Sequence, residues 1–262
     1  MNSQMHARLD PPPWRHDAYT LRRMRAAFEK VISRLSSENI LRAKTSTVVD
    51  VGAGESPYRP LFSAHCNTYI SCDLEPAEGV EIVFEEGQPI PLPSNCADCV
   101  VSFQVLEHVW DLDAYLGECN RLLRRDGRLV LSTHGTWLYH PHPADYRRWT
   151  RDGLCRELQS RGFEIEHIEV AVGPLAWTTQ FRTFAYHHVL TKFGPVGRIL
   201  DALLCMAMHG RMIVEDAITP RSLLEDNAAV YCITARPGSE KHQALETDES
   251  ISFAEMKDRP VR

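Results

Sequence analysis

The sequence is short of several things, and each shortage narrows what it can be. It has no long hydrophobic run: the most apolar stretch, Ile199 to Met208, is broken by Asp201 and falls far below the ~20 residues of a membrane-spanning helix. Met1 to Arg15 holds no apolar segment and carries three consecutive prolines, Pro11 to Pro13, so a cytoplasmic location is the expectation. Basic residues are not in excess. The formal net charge is −6, which argues against a nucleic-acid partner, because such binding displaces counterions from a basic surface. Eight cysteines are scattered along the chain. Cys96-Ala-Asp-Cys99 matches C-x-x-C, but no second pair completes a zinc site, and reduced, buried thiols are expected.

What is present is ordinary for a globular chain: 262 residues, 44% hydrophobic and 24% charged. One domain with embellishments is the expectation. Leu21, Met24, Phe28, Val31, Ile32 and Leu35 recur at steps of three and four, so residues 1–44 form an arm and an amphipathic helix. Arg22, Arg23 and Arg25 lie on its wetter side, as a solvated face or one that meets an acidic ligand.

The period then shortens. Thr47–Val51, Tyr69–Asp73, Val80–Phe84, Cys99–Phe103 and Arg128–Thr133 read as five strands. A helix over Leu112–Leu123 is ended by the Asp126-Gly127 turn. A further helix over Arg151–Arg161 is closed by Gly162, before a sixth strand over Phe163–Val172 and a seventh over Ala228–Ala235. Strands alternating with helices imply right-handed βαβ units and a mostly parallel α/β sheet, with helices on both faces. Between the last two strands, residues 174–227 carry helical periodicity as an insertion, either a lid or a homodimer surface. Residues 237–262 have the polar composition of a disordered tail.

The chemistry concentrates in Asp50-Val-Gly-Ala-Gly-Glu-Ser-Pro-Tyr58. Glycines at 52 and 54 allow positive φ and close approach of a ligand to the backbone. Ser56 is expected to cap the following helix, with Pro57 in its first turn. A nicotinamide dinucleotide site would need G-x-G-x-x-G, whose third glycine falls on Pro57, and Asp50 suits a cationic ligand better than a pyrophosphate.

Three segments in order carry a family resemblance. Asp50-Val-Gly-Ala-Gly54 resembles motif I of the class I S-adenosylmethionine-dependent methyltransferases. Asp98 to Val109 resembles their fourth-strand motif, and Asn120 to Ser132 their helix–turn–fifth-strand motif. The resemblance implies a three-layer Rossmann-like domain of seven strands over residues 45–236, S-adenosylmethionine as cofactor, and methyl transfer. It also implies roles. Gly52 and Gly54 would border the methionine part with Asp50 near its ammonium group, and Asp73 would take both ribose hydroxyls. Leu74 would pack on adenine, Glu86 (or Glu85) would sit near the adenine amine, and Gln104 would face the methionine end. Leu106-Glu107-His108 is either a turn beside the cofactor or a helix start.

The acceptor side falls on Thr133 to Thr150, after the fifth strand, where an open α/β sheet lines its crevice. His134, His140 and His142 are the catalytic candidates there, with His134 as general base. Trp137, Trp149 and the polar groups around them suit a saccharide or another small ring, and Asp145-Tyr-Arg-Arg-Trp-Thr150 loosely resembles methyltransferases found with bacterial surface-saccharide enzymes. O-methylation is the expectation; a non-catalytic cofactor-binding subunit is the alternative. Asp145, Tyr146 and Arg147 could instead be a structural network. Three histidines with Asp145 would make a metal set, but His140-x-His142 on a proline-rich loop has no fixed spacing, so no metal is expected.

Overall fold

The computed structural model describes residues 8–141 and 144–238. Seven strands form one sheet: β1 (Thr47–Val51), β2 (Thr68–Asp73), β3 (Ile82–Val83), β4 (Ala97–Phe103), β5 (Leu123–His134), β6 (Phe163–Ala171) and β7 (Val230–Pro237). Their order is β3-β2-β1-β4-β5-β7-β6. Strands β1 to β5 run parallel, and β7 is antiparallel to both β5 and β6. The strand order reverses between β1 and β4, and in such sheets the crevice beyond the strand ends at that point receives ligands.

Alternating residues of the central strands serve two cores. Val49, Val51, Val100, Leu129 and Leu131 face helices α3 (Leu112–Leu122) and α4 (Arg151–Gln159) through Leu116, Cys119, Leu154 and Leu158. Val48, Val101 and Val130 face α1 (Ala18–Ser37) through Phe28, Val31 and Leu35. A sheet buried on both sides explains why these strands read as continuous β-branched runs. Between β6 and β7 stand α5 (Pro174–Leu190), α6 (Gly194–Ile218) and the short α7 (Arg221–Asp226). Helices α5 and α6 pair as a hairpin, which a third cluster containing Tyr19, Ala176, Trp177 and Met212 fastens to the body. A four-residue helix, α2 (Arg59–Phe62), follows β1.

Four details depart from the sequence expectation. Ser56 does not cap a helix: it sits at φ +49° with its side chain buried, and α2 begins only at Arg59, with Tyr58 in the capping position. Tyr58 is drawn inward instead, its ring against Phe28 and Phe103 at centroid distances of 4.8 and 5.2 Å. Strand β3 is two residues long where five were expected, because it lies at the sheet edge and pairs with β2 only at Cys72 and Asp73. Asp126-Gly127 does not end a helix: α3 stops at Leu122, Leu123 already pairs with Ala97, and the ladder shifts register before Arg128. The basic side of α1 is not a purely solvated face but is partly engaged within the protein. Arg22 and Arg25 bond the carbonyls of Pro11 and Leu9, and Arg23 lies 3.5 Å from Asp216 of the hairpin. All eight cysteines are free. The presumed tail from residue 239 onward lies outside the described residues.

Candidate functional site

The glycine turn is fixed by the strand beside it. Gly52 and Ala53 both donate to the carbonyl of Cys72 at the end of β2, at 2.9 and 3.1 Å. Gly52 has φ +76°, and a Cβ there would stand 2.6 Å from a methyl of Val105, so glycine is required twice over. Gly54, at φ +53°, faces open space with nothing within 4 Å of a notional Cβ. Its N–H donates to Asp73 Oδ2 at 2.6 Å, while Asp73 Oδ1 accepts from Leu74 N at 2.7 Å. The carboxylate predicted to bind a diol thus also ties the glycine turn to the end of β2. The Glu75 N–H adds a longer bond to Oδ1 at 3.3 Å; an ionised carboxylate offers about four acceptor positions, so these three backbone bonds still leave room for a ligand donor.

Leu74 is 44% exposed beside it, an apolar surface at the lip. Glu85 and Glu86 are both exposed on the segment after β3, and the structure singles out neither. Gln104 closes the β4 end at φ +59°, its N–H on the Ser132 carbonyl and its Nε2 on Ser132 Oγ. Gln104 Oε1 is buried without a hydrogen-bond partner among the described residues, an unusual condition for a native acceptor.

Asp50 is deeply buried, and Tyr69 donates to its Oδ2 at 2.6 Å. Burial pushes the carboxyl up to about 7 against the Tyr69 hydrogen bond, with Asp73 adding to the rise. A carboxyl raised by the fold adds stability that is complete below its unfolded value near 4 and disappears as pH climbs through about 7. Asp50→Asn should therefore flatten the loss of stability between pH 4 and 8, and urea midpoints across that range will show it. A wild-type slope retained by the variant would assign the dependence to another group.

On the other side of β4 the post-strand turn, Leu106–His108, carries a buried carboxylate. Glu107 Oε1 lies 2.7 Å from His134 Nδ1, an ion-pair contact, and Thr133 Oγ1 donates to Glu107 Oε2 at 2.8 Å. Burial raises the Glu107 carboxyl, but the His134 imidazole, together with backbone and Thr133 hydrogen bonds, more than offsets it, so the group stays below its ordinary value. His134 ends β5 and stacks on Trp137 at 4.5 Å, and Trp137 stacks on Trp177 of α5 at 4.6 Å. His140 stands edge-on to His134 at 5.5 Å and to His108 at 4.9 Å. Burial lowers its imidazole to about 4, with both neighbouring rings contributing. Glu107, His134 and His140 each bring one ligand atom within 4.8 Å of the others, which would also suit a metal ion.

Asp145 belongs to a different structure. It takes Arg148 with both oxygens, at 2.5 and 2.7 Å, and accepts the His140 N–H at 2.9 Å. The two arginines are held by main chain: Arg148 reaches the carbonyls of Trp137 and Leu138, and Arg147 those of Val109 and Trp110. Asp145 and Arg147 therefore anchor the loop, and Asp145 is not available as a metal ligand. Tyr146 joins them through its N–H on the Glu107 carbonyl. His142 lies outside the described residues.

Sequence reasoning pointed to His134 and both glycines but gave Glu107 only as part of a turn beside the cofactor or a helix start, not as a partner of His134. An acid inside Val-Leu-Glu-His-Val was the available signal, since such a charge is seldom buried unless paired. Val105, Ser132 and Trp177 gave no signal, because their contacts come from distant segments.

The cleft fits S-adenosylmethionine: an open cradle at Gly54, a carboxylate at the β2 end, an exposed leucine, and an unsatisfied acceptor at Gln104. Comparison with known proteins agrees. The family described as "Methyltransferase domain" matches residues 49–131. A probable S-adenosylmethionine-dependent methyltransferase of Mycobacterium tuberculosis is 26% identical over 257 residues, covering 92% of this chain and 84% of that protein. A Mycolicibacterium smegmatis protein described in similar terms is 27% identical over 170 residues, 59% of this chain and 63% of its own. Among solved structures, the Burkholderia thailandensis 1,6-didemethyltoxoflavin-N1-methyltransferase, with bound 1,6-didemethyltoxoflavin and S-adenosylhomocysteine, shares the fold. It aligns at TM-score 0.51 and 18% identity, covering 83% of this chain and 79% of that one. The cyclase SpnF aligns at TM-score 0.50 and 15% identity, with 82% of each chain covered, so the fold alone does not assign methyl transfer. Among the described residues no helix is long and apolar enough to cross a membrane. The glycine turn, the ordered motifs and the relatives converge: the chain carries a methyltransferase domain, matched over residues 49–131, and is an enzyme whose cofactor is S-adenosylmethionine.

Proposed function

We propose that this enzyme methylates a hydroxyl of a small polar-ring acceptor, a saccharide or a phenol, with His134 taking the proton. The observation that carries this reading is the buried Glu107–His134 contact of 2.7 Å at the ends of β4 and β5. A carboxylate against one imidazole nitrogen orients the ring and leaves the second nitrogen to accept a proton. A neutral amine acceptor would not need such a group before attack; a hydroxyl does.

When bound, S-adenosylmethionine supplies a methyl group on a sulfonium leaving group. The chain's own residues then have three tasks. Gly52 and Gly54 admit the cofactor to the backbone, with Asp73 on the ribose, Leu74 on the adenine, Glu86 or Glu85 near the adenine amine, and Gln104 and Asp50 at the methionine end. Trp137 and the loop anchored by Asp145 present an aromatic wall to the acceptor. His134 removes the hydroxyl proton as the C–O bond forms. Alignment of two reactants in a water-poor site contributes up to ~7–11 kcal/mol, and the base a further ~10²–10⁴-fold.

The test is transfer of labelled methyl from the cofactor to a panel of sugars, phenols, amines and carboxylates. Alkali-stable label on hydroxylated rings is the expected result. Label confined to amines, or lost as methyl ester in alkali, would overturn the hydroxyl assignment. A second reading is favoured by the convergence of Glu107, His134 and His140 within 4.8 Å: a divalent ion there would acidify the hydroxyl in place of the base. Turnover unaffected by chelators removes that reading.

A further inference from the structure

The outer face of α6 has no cover in the single chain. Val196, Ile199, Leu203, Met206 and Ile213 are each between 41% and 68% exposed, while Gly197, Asp201, Cys205 and Met212 on the opposite side are buried against the protein. An apolar stripe of this length on the outer side of a helix is ordinarily covered by another surface. The neighbouring helix continues the surface with Phe181, Tyr186 and Val189, all about half exposed. Such side chains together present on the order of 1,000 Å², against the ~300–600 Å² of the largest apolar patch on a typical monomer.

We infer that this face is the interface between two copies of the chain. Three features point to a second copy as the occupant. The exposed positions 196, 199, 203, 206, 210, 213 and 217 alternate steps of three and four, an average of 3.5, which is the spacing of one helix seated along another. A lipid surface imposes no such register. The seam also mixes bulky and small residues. Two α6 helices crossing antiparallel near Met206 set Leu203 against Gly210 and Val196 against Ala217, so projections meet hollows. The area available meets the ~800 Å² per partner of a specific interface.

The interface would lie on the hairpin whose other helix supplies Trp177, which stacks on Trp137 and through it reaches His134. It is independent of the acceptor assignment.

Light scattering and sedimentation velocity on the full chain across the micromolar range test it. The expected result is twice the chain mass, falling to a monomer with unchanged circular dichroism in the double variant Leu203→Arg, Met206→Arg, whose dimer affinity drops at least ~10²-fold. Both positions are exposed, so the variant keeps its fold. A wild-type chain that is monomeric throughout overturns the inference, as does a double variant that still dimerises. A monomer that co-sediments with phosphatidylserine vesicles also overturns it, assigning the face to lipid.

Discussion

His134→Ala should lower turnover by ~10²–10⁴-fold while the cofactor's dissociation constant moves less than about twofold. The imidazole sits 2.7 Å from Glu107 and stacks on Trp137, so its removal takes away the proton acceptor and leaves a flat hole beside the indole. That hole provides a control. Free imidazole added to the variant should restore part of the rate, which no structural role for the ring would produce. Wild-type turnover in His134→Ala would exclude it as base, and a parallel loss of cofactor affinity would move it to the other half of the cleft. Glu107→Gln should fall in the same direction by a smaller factor, because the imidazole survives but loses the carboxylate that orients it.

Asp73→Ala should weaken cofactor binding by ~10²–10⁴-fold, the loss of two hydrogen bonds to a charged acceptor at ~1.5–3 kcal/mol each. The carboxylate has a second duty, since the N–H groups of Gly54 and Leu74 end on it. Asp73→Asn keeps one acceptor oxygen for the turn, so its affinity should lie between wild type and alanine. Calorimetry with the cofactor and with S-adenosylhomocysteine measures both variants, and circular dichroism confirms the fold. Unchanged affinity in Asp73→Ala would contradict the ribose assignment.

The central strands and both flanking layers were readable because burial on two faces leaves long β-branched runs such as Thr47–Val51 and Cys99–Phe103. The glycine turn was readable for a local reason too: positive φ at 52 and 54 restricts the residue type whatever lies around it. Ser56 misled because its neighbour Tyr58 is held by rings from α1 and β4, a tertiary effect that overrides local capping. The five-residue third strand misled because edge pairing depends on the partner strand's length rather than on the segment itself. On the acceptor side, His134 could be placed at a strand end, but its carboxylate partner lies 27 positions earlier, on a turn whose burial no short pattern reveals. Asp145 was read as either ligand or anchor, and only the Arg148 fork decides for anchor.

That fork has a consequence for how substrate preference can change over time. Arg147 and Arg148 rivet the loop to four main-chain carbonyls, at Val109, Trp110, Trp137 and Leu138, and carbonyls are indifferent to which side chains their residues carry. Tyr139, 77% exposed just past these rivets, can change in identity while the frame holds still. An ancestral lineage could therefore trade one acceptor for another by altering a handful of codons, without disturbing the half of the cleft that grips the methyl donor.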